Sequence, residues 1–104
     1  MLNINYNETT KNNFKMVSEE ELIEIENRCK SSARGPWKAY IEGRDHESGS
    51  HFIMTGEEGN RREDFEINGA EIDNYDFIAN AKQDIPALIE EVRRLKVLIV
   101  NDVK

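Results

Sequence analysis

A chain of 104 residues in which 38% are apolar and 34% charged can bury one modest core and little more. Its formal charge of −7 excludes generic affinity for DNA, RNA or anionic membranes. The same charge suits solubility and docking to a basic protein surface. Cys29 is the only cysteine, so no intramolecular disulfide forms, and it falls on the apolar side of a predicted helix, where a free thiol behaves as a small hydrophobe. No stretch reaches the length of a membrane span, and the first sixteen positions lack the basic and apolar regions of a secretory signal. The expected compartment is the cytoplasm.

In chain order, residues 1–16 read as an asparagine-rich N-terminal arm or a short strand, with Leu2, Ile4 and Tyr6 alternating and Phe14 and Met16 available as anchors. Residues 17–104 read as one α+β domain. Ser18 is a helix N-cap, Glu21 completes a capping box, and Val17 and Leu22 occupy the positions of a hydrophobic staple. Leu22, Ile25 and Cys29 follow at helical spacing, while Glu19, Glu20, Glu24 and Glu26 face water. Ser31, Ser32 and Gly35 end the helix.

Gly35-Pro36-Trp37 then reverses the chain, because proline cannot continue a helix and biases the residue before it toward extended backbone. From Trp37 the apolar period becomes two. Trp37, Ala39 and Ile41 share one face of a strand, with Lys38, Tyr40 and Glu42 on the other. Residues 51–55 form a second strand with Phe52 and Met54 on one face. A turn over residues 56–60 leads to a third strand, residues 62–67, through Phe65 and Ile67. Asn68-Gly69 closes the meander.

The last third returns to helix. Asp73 or Asn74 caps a segment ending near Ala81 or Lys82, and Asp84 caps a second one with Pro86 in its first turn. The expected architecture is therefore an N-terminal helix, an antiparallel meander of three or more strands, and two C-terminal helices packed on one sheet face. Leu88, Val92, Leu95 and Ile99 advance at helical spacing and are expected to pack on the sheet. Leu95, Leu98, Ile99 and Val103 offer more apolar surface than one copy covers, and they are the candidate interface of a homodimer or higher oligomer.

No catalytic constellation emerges, and an enzyme is not expected. There is no phosphate-binding glycine loop, no zinc spacing, and no His-Glu-x-x-His. Asp45, His46, Glu47 and His51 bracket one connection, but in a polar loop such residues are ordinarily solvated, and neither metal nor cofactor is expected. Glu63, Asp64 and Glu66 lack an evident cleft. What remains is a binding surface. Trp37, Tyr40 and Phe52 lie near sequence breaks beside Arg34, Lys38 and Arg44, with Tyr75, Arg61 and Arg62 also available. Aromatic rings stack on flat rings and arginine forks hold phosphate, so the combination suits a small anionic nucleotide. Trp37 and Phe52 fit a core role equally well, and the arginines could serve only to neutralise acidic neighbours.

One resemblance bears on function. Leu22-x-x-Ile25 through Cys29, Ala33-Arg34-Gly35-Pro36-Trp37, and Asp76-Phe77-Ile78-Ala79-Asn80-Ala81 running into Asp84-Ile85-Pro86 resemble small phage and prophage proteins of the Ea22-like group, over residues 18–96. Ser32-Ala33-Arg34 departs from the Thr-Pro that often precedes Gly-Pro-Trp there. The resemblance implies a non-catalytic accessory protein directed against host defence and brings no catalytic residues with it. It admits sequestration of a small nucleotide signal. Alternatively, the chain is an acidic inhibitor that docks on a host protein and blocks its nucleic-acid-binding surface, or an assembly adaptor working through its last helix.

Overall fold

The computed structural model describes residues 16–102. Two helices and a β-hairpin make up the regular structure of these residues: α1 (Glu19–Ser31), β1 (Trp37–Tyr40), β2 (Phe52–Thr55) and α2 (Ile72–Asp102). Residues 1–15 of the arm expected over 1–16, and Val103, lie outside the described residues. Among the described residues no helix is long and apolar enough to cross a membrane.

Helix α1 begins as its sequence dictates. The Ser18 hydroxyl accepts the Glu21 amide at 3.1 Å, and the Glu21 carboxylate accepts the Ser18 amide at 2.9 Å. Both otherwise unpaired donors of the first turn are thereby satisfied. Leu22 is the buried residue of this helix, and the Ser32 amide donates to the Arg28 carbonyl at its end.

The hairpin registers Trp37 with Thr55, Ala39 with Ile53 and Tyr40 with Phe52. Side chains alternate across it. Ala39, Ile41, Ile53 and Thr55 turn inward and pack beneath Tyr75 and Ala79 of α2, with Ile53 and Thr55 fully buried. At Gly56, where the chain leaves β2, φ is +79°, and a β-carbon there would collide with the Asn60 carbonyl oxygen. Only glycine meets both conditions.

The structure corrects the expected meander. Among the described residues there is one sheet of two strands, and residues 62–67 contribute a single bridge, in which Ile53 and Phe65 exchange amide and carbonyl bonds of 2.9 Å. Pairing ends there because the next inward residue, Ile67, gives its amide to the Tyr75 hydroxyl at 2.9 Å instead of to β2. The acidic residues around Phe65 also have low strand preference.

The second correction concerns the C-terminal third, where one continuous helix of 31 residues replaces the two expected, with Pro86 inside it. An interior proline removes the bond to the Lys82 carbonyl and crowds it, at a cost of about 3 kcal/mol. Packing on both sides offsets that cost. Before Pro86, Tyr75 and Ala79 are buried against the hairpin, and after it Ile89 is buried as well. Arg93 joins the later part to α1 through Glu26 at 3.0 Å and Glu19 at 3.2 Å.

A third correction follows from that helix. Leu88, Val92, Leu95 and Ile99 do not pack on the sheet; Leu88 and Ile99 are each 63% exposed. The core-facing stripe runs instead through Tyr75, Ala79 and Ile89.

Candidate functional site

The chain reversal after α1 builds the site. Pro36 follows a cis peptide bond, and its carbonyl accepts the Gly56 amide at 2.9 Å. Gln83 pairs with both main-chain groups of Trp37, accepting its amide at 2.8 Å and donating to its carbonyl at 3.2 Å. A side-chain amide thus occupies the place of a neighbouring strand at the edge of β1. The Trp37 indole donates to the Ala33 carbonyl at 2.9 Å and meets Phe65 edge-on at 5.2 Å. This half-buried ring fixes the α1–β1 linker.

Lys82 completes the junction. Its ammonium donates to the Cys29 carbonyl at 2.6 Å and to the Ser32 hydroxyl at 2.7 Å, and lies 5.4 Å from the Trp37 ring centre. A cation at the last turn of α1 neutralises the negative end of its dipole.

Between the end of α1, the linker, residues 62–65 and α2 lies an open cleft of about 1040 Å³. Lys30, Arg34, Arg62 and Lys82 supply its positive charge, Glu26 and Glu63 its negative charge, and Phe65 an aromatic wall. Glu26 is bound by Arg93, whose hydrogen bond holds the carboxyl below its ordinary value. Lys30, Arg34 and Arg62 are exposed, and their side chains have no hydrogen-bond or ion-pair partner among the described residues. That leaves three cationic side chains without an ion-pair contact on one concave surface, with Glu26 and Glu63 beside them. Arginine forks of this kind can donate to phosphate or carboxylate oxygens.

The structure divides the predicted ligand residues. Arg34 lines the cleft, whereas Trp37 stands behind it, with Phe65 between. Lys38, Tyr40 and Phe52 project from the opposite face of the hairpin, as the register requires. There Tyr40 stacks on Phe52 with ring centres 5.4 Å apart, Lys38 lies over Tyr40, and His46 packs on Phe52 at 4.9 Å. Arg44 serves the fold instead, holding Asp76 of α2 through two bonds of 2.9 and 3.0 Å and Asp45 through a third. Trp37, Lys38 and Arg44 do border one smaller groove of about 240 Å³. Lys30, Arg62, Phe65 and Lys82 are cleft residues that the candidate ligand set lacked. The adjacent arginines at 61 and 62 and the basic last turn of α1 were the signals that pointed toward them.

The polar loop after β1 spends its charged groups on its own backbone. The Asp45 carboxylate accepts the Ile41 amide at 2.8 Å, and His51 Nδ1 accepts the Glu42 amide at 2.9 Å. Among the described residues no cluster of histidine, cysteine or carboxylate side chains is arranged to hold a metal.

The Arg44 contacts give a pH prediction. Hydrogen bonds from Arg44 lower the affinity of both Asp45 and Asp76 for protons below that of a free carboxylate. A group with a depressed folded-state value stabilises the fold above its unfolded value, about 3.9 for aspartate, and loses that contribution as pH falls through the folded value. Asp76→Asn is therefore expected to lower the urea midpoint at pH 6, and the gap to the parent protein should close as the pH falls below 4. A gap of constant size across that range would count against the linkage.

No protein family, curated protein or solved structure matches this chain.

Proposed function

We propose that this chain is a non-catalytic, phage-type accessory protein that acts by stoichiometric binding and sequesters a small anionic nucleotide in the cleft beside Arg34. One observation carries the reading: the side chains of Lys30, Arg34 and Arg62, without partners among the described residues, converge on one cleft in a chain of charge −7. Such a chain has acids to spare, yet among the described residues none comes within ion-pair distance of these three side chains. The volume, about 1040 Å³, lies just above the range for small-molecule sites, about 300–1,000 Å³. Phe65 offers a ring edge or face to a base, while the arginines take phosphate. The anti-defence role follows from the Ea22-like resemblance and from nothing else, and it places the protein in the host cytoplasm.

A second reading has its own support. Glu57, Glu58, Glu63, Asp64 and Glu66 are exposed within one loop, their carboxylates without partners among the described residues, and they would complement a basic nucleic-acid-binding surface on a host protein.

A thermal-shift panel of cyclic dinucleotides, cyclic mononucleotides and ADP-ribose derivatives separates the two. A nucleotide present at a hundred times its dissociation constant stabilises the fold by about 2.7 kcal/mol. For a domain of this size that amounts to roughly 10 °C or more. A flat response across the panel would refute nucleotide sequestration and leave the acidic loop as the working surface.

A further inference from the structure

Helix α2 has two apolar faces, and the second is left exposed from Ile85 onward. Tyr75, Ala79 and Ile89 are buried against the hairpin and α1. Roughly a third of a turn around the helix, at 3.6 residues per turn, runs a second apolar stripe. It includes Leu88 at 63% exposure, Leu95 at 44% and Ile99 at 63%. A helix with a single buried face would carry polar residues here.

The stripe has a regular repeat. From Ile78 to Ile99 the apolar positions alternate between steps of three and four residues, the spacing of a coiled-coil seam. The first seam position of each heptad is filled by Ile78, Ile85, Val92 and Ile99. The second is filled by Ala81, Leu88 and Leu95. β-Branched residues at the first position with leucine at the second favour parallel two-stranded pairing over other assemblies.

We infer that a second copy of this chain covers the stripe, the two α2 helices forming a parallel coiled coil about a two-fold axis. The flanking charges agree with a self-pairing. Across the exposed part of a parallel seam Glu91 of one copy meets Lys96 of the other, an opposite-charge pair. Within the chain Glu91 is held by Arg94 at 2.6 Å and Lys96 stands 3.9 Å from Glu19, both at exposed sites, so these charges set orientation more than affinity. The exposed part of the seam, from residue 85 to 99, is about 21 Å long at 1.5 Å per residue. Ile78 packs against the core and, with Ala81, borders a groove shared with α1, so the exposed part of the stripe runs from Ile85 to Ile99.

Sedimentation equilibrium on the full chain tests the assembly, and the expected mass is twice 12.1 kDa. Leu88→Glu combined with Leu95→Glu, both at exposed positions, is expected to raise the dimer dissociation constant more than a hundredfold and leave the far-ultraviolet circular dichroism of the fold unchanged. Strand direction is read separately. In a Cys29→Ala background, Ile99→Cys should form an intermolecular disulfide under mild oxidation, since identical seam positions lie opposite one another only in the parallel arrangement. A mass that stays at 12.1 kDa up to millimolar concentration, a trimer or larger, or a dimer that survives the double glutamate variant would overturn the inference. Absence of the Ile99→Cys crosslink in a dimeric sample would overturn the parallel orientation.

Discussion

Ile53→Ala is expected to destabilise the fold by about 2–5 kcal/mol, the range for truncating a large aliphatic side chain in a packed core. The position justifies the upper half of that range. Ile53 is fully buried, pairs with Ala39 across the hairpin, holds the Phe65 bridge through its main chain, and belongs to the cluster with Tyr75 and Ala79. A domain of this size has a total stability of about 5–10 kcal/mol, so the variant should unfold at a much lower urea concentration. By contrast, Phe77→Ala, at a position 75% exposed, should move the midpoint little. Equal effects at the two sites would mean that the core does not lie between hairpin and α2.

The second large effect concerns the cleft. Arg34→Glu combined with Arg62→Glu should reduce affinity for a phosphate-bearing nucleotide by a factor of about 100 or more. Hydrogen bonds to charged groups contribute about 1.5–3 kcal/mol each, and every 1.4 kcal/mol is tenfold in affinity. Both side chains are exposed and without partners among the described residues, so the fold should be untouched. Reversal of Lys38, on the opposite hairpin face, should leave binding within a few fold. Isothermal titration with whichever nucleotide gives the largest thermal shift measures both variants. If Lys38→Glu proved the more damaging, the site would belong to the Tyr40 and Phe52 face.

Local chemistry in the sequence carried the start of α1 and the reversal at Gly35-Pro36, because a capping box and an X-proline step act within a few residues. The alternation after Trp37 also predicted which side chains share a face, and Trp37 and Tyr40, three positions apart on one strand, already belonged to different sides. Grouping them in one ligand set disregarded that parity. The continuity of α2 was not legible. Asp84-Ile85-Pro86 has the chemistry of a helix start, and only burial on both sides of Pro86 carries the helix through. The third strand failed for a tertiary reason, since nothing near Ile67 in sequence announces that the Tyr75 hydroxyl takes its amide. Arg34 could be singled out from its place beside the reversal. Its convergence with Lys30 and Arg62 depends on how α1, the linker and the residues after β2 meet, and no spacing in the chain encodes that.

The second apolar face of α2 shows the same division. Steps of four and three residues were visible, but they describe a core-facing stripe and an exposed seam equally well. The burial of Ile89 beside the exposure of Leu88 separates the two.

The central claim is that an anionic nucleotide occupies the cleft at the end of α1. Amide chemical-shift mapping during titration with the nucleotide selected by thermal shift tests it most directly. Binding at that cleft predicts shifts concentrated at residues 29–35, 62–65 and 82, with residues 38, 40 and 52 little changed. Shifts confined to the Tyr40 and Phe52 face, or none at a saturating nucleotide concentration, would contradict it.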